Sequence, residues 1–114
     1  MSHFSNFKVT VYCVAQVLEK MELKDLEAQY DFIEKYVGLD KVYLEPYRDG
    51  CLVDKDKLKG FIDFFKSRNV EVAGGFTTVV PDLGEEDKKR QRLFGTFCYT
   101  NPKMRDYIKK VSEY

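Results

Sequence analysis

The chain has 114 residues, 44% of them apolar and 15% aromatic, and its 19 basic and 19 acidic side chains leave no net charge. That length holds one domain with a real core, and the composition excludes a disordered segment. The charge balance excludes an electrostatic grip on nucleic acid or an anionic membrane, and no stretch approaches the ~20 apolar residues of a membrane helix.

The first residues, Met1 to Asn6, carry no charged-then-apolar signal sequence, and the compartment stays open. A first strand is expected near residues 8–15, where Lys8 to Ala15 is β-branched and aromatic and apolar on both faces. That pattern belongs to a buried parallel strand. Gln16 to Met21 reads as a connecting segment. A helix is expected near 24–37, because Leu26, Tyr30, Ile33 and Val37 share one face, with Phe32 and Tyr36 widening it and Gly38 as the stop.

The second strand is expected near 41–46, and it leads into the stretch with the most chemistry. Val42 to Leu44 is apolar, and then come Glu45, Pro46, Tyr47, Arg48, Asp49 and Gly50. Pro46 lacks an N–H, so a central strand is expected to stop there, and Gly50 permits a turn. A strand between two helical patterns predicts a parallel sheet, and such sheets bind ligands at the carboxyl ends of their strands. Glu45, Tyr47, Arg48 and Asp49 fall at that end.

A helix near 55–67 follows, capped by Asp54 or Asp56, with Leu58, Phe61, Ile62 and Phe65 on one face and Asn69 at its left-handed end. A third strand is expected near 70–76, where the Gly74-Gly75 pair allows close approach of a backbone or ligand. Thr77 to Val80 reads as an extension or crossover, Pro81 to Arg92 as a polar loop or short helix, and Leu93 to Tyr99 as extended. A last helix near 102–113 starts at Asn101-Pro102 and repeats apolar residues at Met104, Tyr107, Ile108 and Val111. A fourth strand is expected next.

The order strand, helix, strand, helix, strand, loop, helix is an α/β pattern. The strand starts Val9, Val42 and Val70 are spaced as consecutive βαβ units, which predicts three parallel βα units of a partial (β/α)8 barrel forming a single domain over 1–114. A doubly wound nucleotide-binding sheet is the competitor, but neither GxGxxG nor GxxxxGK[ST] follows the first strand, and no cofactor is expected. Three widely spaced cysteines, Cys13, Cys51 and Cys98, with one histidine, His3, form neither a disulfide framework nor a zinc site, so no metal is expected. Cys13 reads as a small core residue, and Cys51 lacks a histidine to activate it. Tyr43 and Phe97 read as core, and Thr77 and Thr78 as strand residues or ligand donors.

Val42-Tyr43-Leu44-Glu45-Pro46-Tyr47-Arg48-Asp49, Ala73-Gly74-Gly75-Phe76 and Cys98-Tyr99-Thr100-Asn101-Pro102-Lys103-Met104-Arg105 together resemble the N-terminal part of the (β/α)8 barrel of bacterial glycoside hydrolases and their uncharacterised relatives. The resemblance implies that the acid/base and nucleophile lie on the fourth strand and later ones, so this stretch alone is expected to contact carbohydrate but not to catalyse. Glu45 and Asp49 are expected to bind sugar hydroxyls, Arg48 to donate hydrogen bonds, and Tyr47 and Phe76 to stack. A catalytic pair of Glu45 and Asp49 is disfavoured by the separation that glycoside hydrolysis requires. Three strands cut from a barrel leave an open edge and an uncovered face, so self-association or a missing remainder of the barrel is expected. The alternatives are a non-catalytic module binding carbohydrate or a protein through its open sheet, and a barrel enzyme acting on sugar phosphates. The latter is weakened because the usual barrel phosphate site follows the seventh and eighth strands.

Overall fold

The computed structural model describes residues 3–77 and 100–114. The readings for Thr78 to Tyr99, including the polar loop, Phe97 and Cys98, lie outside those residues.

The fold is α/β. Strand β1 (Thr10–Cys13) leads to helices α1 (Ala15–Lys20) and α2 (Leu23–Tyr36), then β2 (Lys41–Arg48), β3 (Cys51–Leu52), α3 (Lys55–Ser67), β4 (Glu71–Phe76) and α4 (Pro102–Ser112). β1 and β4 lie on either side of β2, both parallel to it, with Val42 opposite Val11 and Val72. The short β3 runs antiparallel to the end of β2, pairing Arg48 with Cys51. Since β4 holds one edge of β2 as far as Tyr47, β3 takes the other edge where β1 has turned into α1.

Two expectations need correction here. The sheet is mixed and four-stranded, not purely parallel, and β2 passes through Pro46 to Arg48. Pro46 is tolerated because the pairing with β4 is irregular between Leu44 and Tyr47, so its missing N–H removes no regular ladder bond. Its carbonyl still accepts from the Val53 N–H at 2.9 Å. The turn at Asp49-Gly50 has φ of 47° and 78°, the pair of positive values of a type I′ hairpin. Asp-Gly is the common residue pair for that turn, so β3 was written in the sequence and was missed.

Side-chain alternation sorts the sheet into two faces. Val42, Leu44, Val70 and the partly buried Val11, Cys13 and Val72 pack with Leu18, Leu26, Tyr30, Phe61, Phe64 and Phe65 of the helices. Helices α1, α2 and α3 therefore share one face. Lys41, Tyr43, Glu45, Tyr12 and Glu71 alternate onto the other face, where Lys41 pairs with Glu71 at 3.0 Å and lies over the Tyr43 ring.

The local signals explain the helices. Glu22 and Asp25 form a capping box on α2, and Gly38 (φ 75°) closes it. Asp54 caps α3 by accepting from the Lys57 N–H at 3.0 Å, and Asn69 (φ 59°) ends it. Asn101 caps α4 through the Lys103 N–H at 3.0 Å. The segment after β1 is helical, not merely connecting, and buries Ala15 and Leu18. Phe32 and Tyr36 do not widen the buried face of α2. They are 65% and 62% exposed and pack on each other instead, because they lie one position beyond the Leu26–Tyr30–Ile33 stripe.

Candidate functional site

The carboxyl end of β2 brings Glu45 onto the sheet face away from the helices, where its side chain is fully buried. A carboxylate removed from water needs donors. Glu45 Oε2 accepts from the Ala15 N–H at 3.1 Å, at the start of α1. Its Oε1 accepts from Arg48 Nη1 at 3.5 Å, and the Arg48 side chain is 40% exposed. Gln16 Nε2 donates to the Arg48 carbonyl at 3.1 Å, so α1 also fixes the backbone of the hairpin.

Tyr12 joins this group from β1, and the sequence reading passed it over. Its phenol is raised above the ordinary tyrosine value first by burial, then by the charge and hydrogen bonding of Glu45, while Arg48 opposes. Its ring stacks beside that of Tyr43, with centroids 6.1 Å apart. The signal available beforehand was the period of two: Tyr12, Tyr43 and Glu45 fall on the same face once β1 and β2 pair in this register.

The other predicted site residues are placed differently. Tyr47 is fully buried, so its ring offers no face for stacking. It packs with Met104, Val111, Phe76, Tyr107 and Ile108, its ring 5.5 Å from that of Tyr107, and its hydroxyl oxygen accepts from the Gly50 N–H at 3.1 Å. Phe76 stands opposite Tyr47 in the ladder and is half-buried in the same cluster. The expected aromatic platform is thus a second small core under α4. Asp49 sits exposed at the hairpin tip, away from the buried strand position of Glu45. The structure brings together Glu45 and Arg48, and not Asp49, Tyr47 and Phe76 with them as a ligand-facing set.

Among the described residues, the buried hydroxyl oxygen of Thr77, just past β4, has no hydrogen-bond partner. Cys51 is half-buried, and burial, Glu19 and Glu45 push its thiol up, which makes it a poor nucleophile. Burial also raises the Cys13 thiol, which packs against the main core. Among the described residues no three His, Cys, Asp or Glu side chains gather where they would hold a metal ion, and no helix is long and apolar enough to cross a membrane.

The carboxyl end of β2 thus carries a buried carboxylate held by a backbone N–H and a partly exposed guanidinium, in an α/β fold. Over residues 1–114 the sequence matches the family described as "Probable glycosyl hydrolase, catalytic domain". The chain belongs to this family. An uncharacterized protein of Saccharolobus solfataricus is 32% identical over 110 residues. Those residues are 94% of this chain and 18% of that protein, so the chain spans under a fifth of its relative's length. That relative is archaeal, and the match does not tie this chain to bacteria. No solved structure matches.

Proposed function

We propose that the chain is the N-terminal part of a glycosyl hydrolase (β/α)8 barrel, contributing carbohydrate contacts while the catalytic carboxylates reside on later strands. The observation that carries this reading is the Glu45–Arg48 pair at the carboxyl end of a strand flanked by two parallel neighbours, the position where barrel enzymes place their sites. Arg48, partly exposed, is the polar group offered to sugar hydroxyls, and the buried Glu45 carboxylate holds it in place. Asp49 adds a carboxylate at the rim of the hairpin, and Tyr47 and Phe76 support that rim from beneath.

The incomplete sheet supports the barrel half of the proposal. Among the described residues the outer edges of β1 and β4 pair with no strand. Beside β1 lies an apolar cavity of about 390 Å³, lined by Val11, Val14, Val17, Leu18, Met21 and Ile33 among others. Further strands and helices of a longer protein fill such an edge in a closed barrel. In a piece taken alone, a second copy of the sheet takes that place.

The test uses the full-length protein. Glu45→Ala weakens carbohydrate binding relative to the parent, measured by calorimetry with tetrasaccharides. Unchanged binding leaves Glu45 a structural role and removes it from the site.

A further inference from the structure

A surface that stacks on sugar must show an aromatic face to solvent, and neither Tyr47 nor Phe76 does so. Tyr12 is 47% exposed, and it lies on the same face of the sheet as Glu45. A Cβ placed on Gly75 would stand 3.5 Å from the Tyr12 hydroxyl and 3.6 Å from its ring, so the ring reaches across β2 to the glycine of β4. Tyr43 packs against it from β2 with rings inclined by 26°. A Cβ at 75 would already touch the ring at ordinary contact distance, so the glycine leaves that side of it uncrowded.

Beside this ring, the two oxygens of Glu45 are engaged by Ala15 and Arg48, which holds the carboxylate in one orientation. Arg48 has five N–H donors, and the exposed part of its side chain extends from the buried carboxylate toward solvent. Pyranose rings carry an apolar C–H face and a rim of hydroxyls, which suit an aromatic face flanked by a guanidinium.

We propose that Tyr12 and Arg48, the latter oriented by the buried Glu45, form the sugar-contacting surface of this site: the Tyr12 ring is the stacking platform and its hydroxyl exchanges a hydrogen bond with a sugar hydroxyl. This rests on the carbohydrate reading above. A tyrosine hydroxyl is protonated at neutral pH, so it can donate as well as accept. In this arrangement Tyr43 is the backing for the platform and Gly75 is the floor.

The test is calorimetric titration of the full-length protein with cellotetraose, xylotetraose and maltotetraose, comparing the parent with Tyr12→Phe, Tyr12→Ala and the remote control Phe32→Ala. For whichever probe the parent binds, Tyr12→Ala weakens binding by roughly tenfold or more, and Tyr12→Phe by roughly threefold to tenfold through loss of the hydroxyl. Phe32→Ala leaves affinity unchanged. Circular dichroism confirms that each variant folds, and Tyr12→Phe preserves the packing volume. Affinity equal to the parent in both Tyr12 variants overturns this inference while leaving the carbohydrate reading intact. Binding of none of the three probes by the parent overturns the carbohydrate reading, and this inference with it.

Discussion

The backbone N–H of Ala15 donates to Glu45 Oε2 across 3.1 Å, joining the first residue of α1 to a strand position thirty residues later. This bond makes Glu45 structural as well as the anchor of Arg48. Glu45→Ala leaves a buried N–H unsatisfied and is expected to cost about 1–3 kcal/mol in urea unfolding. Glu45→Gln retains an acceptor and costs less. Both are expected to weaken carbohydrate binding by removing the charge that holds Arg48, so the pair separates folding from recognition.

The hairpin at Asp49-Gly50 rests on two positive φ angles. Gly50→Ala forces a side chain into the left-handed region and is expected to destabilise by roughly 1–2 kcal/mol. Asp49→Asn tolerates the same geometry and is expected to be nearly neutral in stability. Thermal unfolding of the two variants checks the difference.

Tyr47 links stability to alkaline pH. Burial lifts its phenol far above the ordinary 10.0, Tyr107 and Asp49 add to the rise, and the Gly50 N–H opposes it. The folded protein holds a proton that the unfolded chain gives up near pH 10. The stabilising contribution is therefore complete below that pH and is lost as pH rises from there toward the folded-state value. Stability is expected to fall above about pH 10, and less steeply in Tyr47→Phe. A denaturation series in alkaline buffers reads both slopes.

The edge of β1 carries the prediction for association. A chain of these 114 residues alone is expected to sediment as more than a monomer at high concentration, because open strand edges and uncovered apolar surface pair between copies. Val17→Lys, beside the cavity at β1, shifts the equilibrium toward monomer by placing charge on that surface. A compact monomer at all concentrations would contradict the open-edge reading.

On α2, Phe32 and Tyr36 pack on each other at a tilt of 52°, exposed to solvent and off the core stripe. Phe32→Ala is expected to change stability by less than about 0.5 kcal/mol, whereas Phe61→Ala, in the core, costs about 3–5 kcal/mol. Chemical denaturation of the two distinguishes a surface aromatic from a buried one.

Local chemistry settled much of this protein from the sequence alone. The cap at Asn101, the glycine stop at Gly38, the left-handed Asn69 and the apolar strand runs at β1 and β2 each act within a few residues, so they are legible in a linear string. The turn at Gly50 was legible in the same way, and the Asp-Gly pair also encodes the hairpin that adds β3. What only the tertiary structure decided depends on partners far apart in the chain. Whether Tyr47 faces a ligand or α4 is set by Met104, Tyr107 and Val111, more than fifty residues away. Tyr12 meets Glu45 only because β1 and β2 pair in one register, and Glu45 is buried only because α1 supplies the Ala15 N–H. Strand periodicity states that a side chain points to a face, but the elements that come to lie against that face determine whether it is core or site.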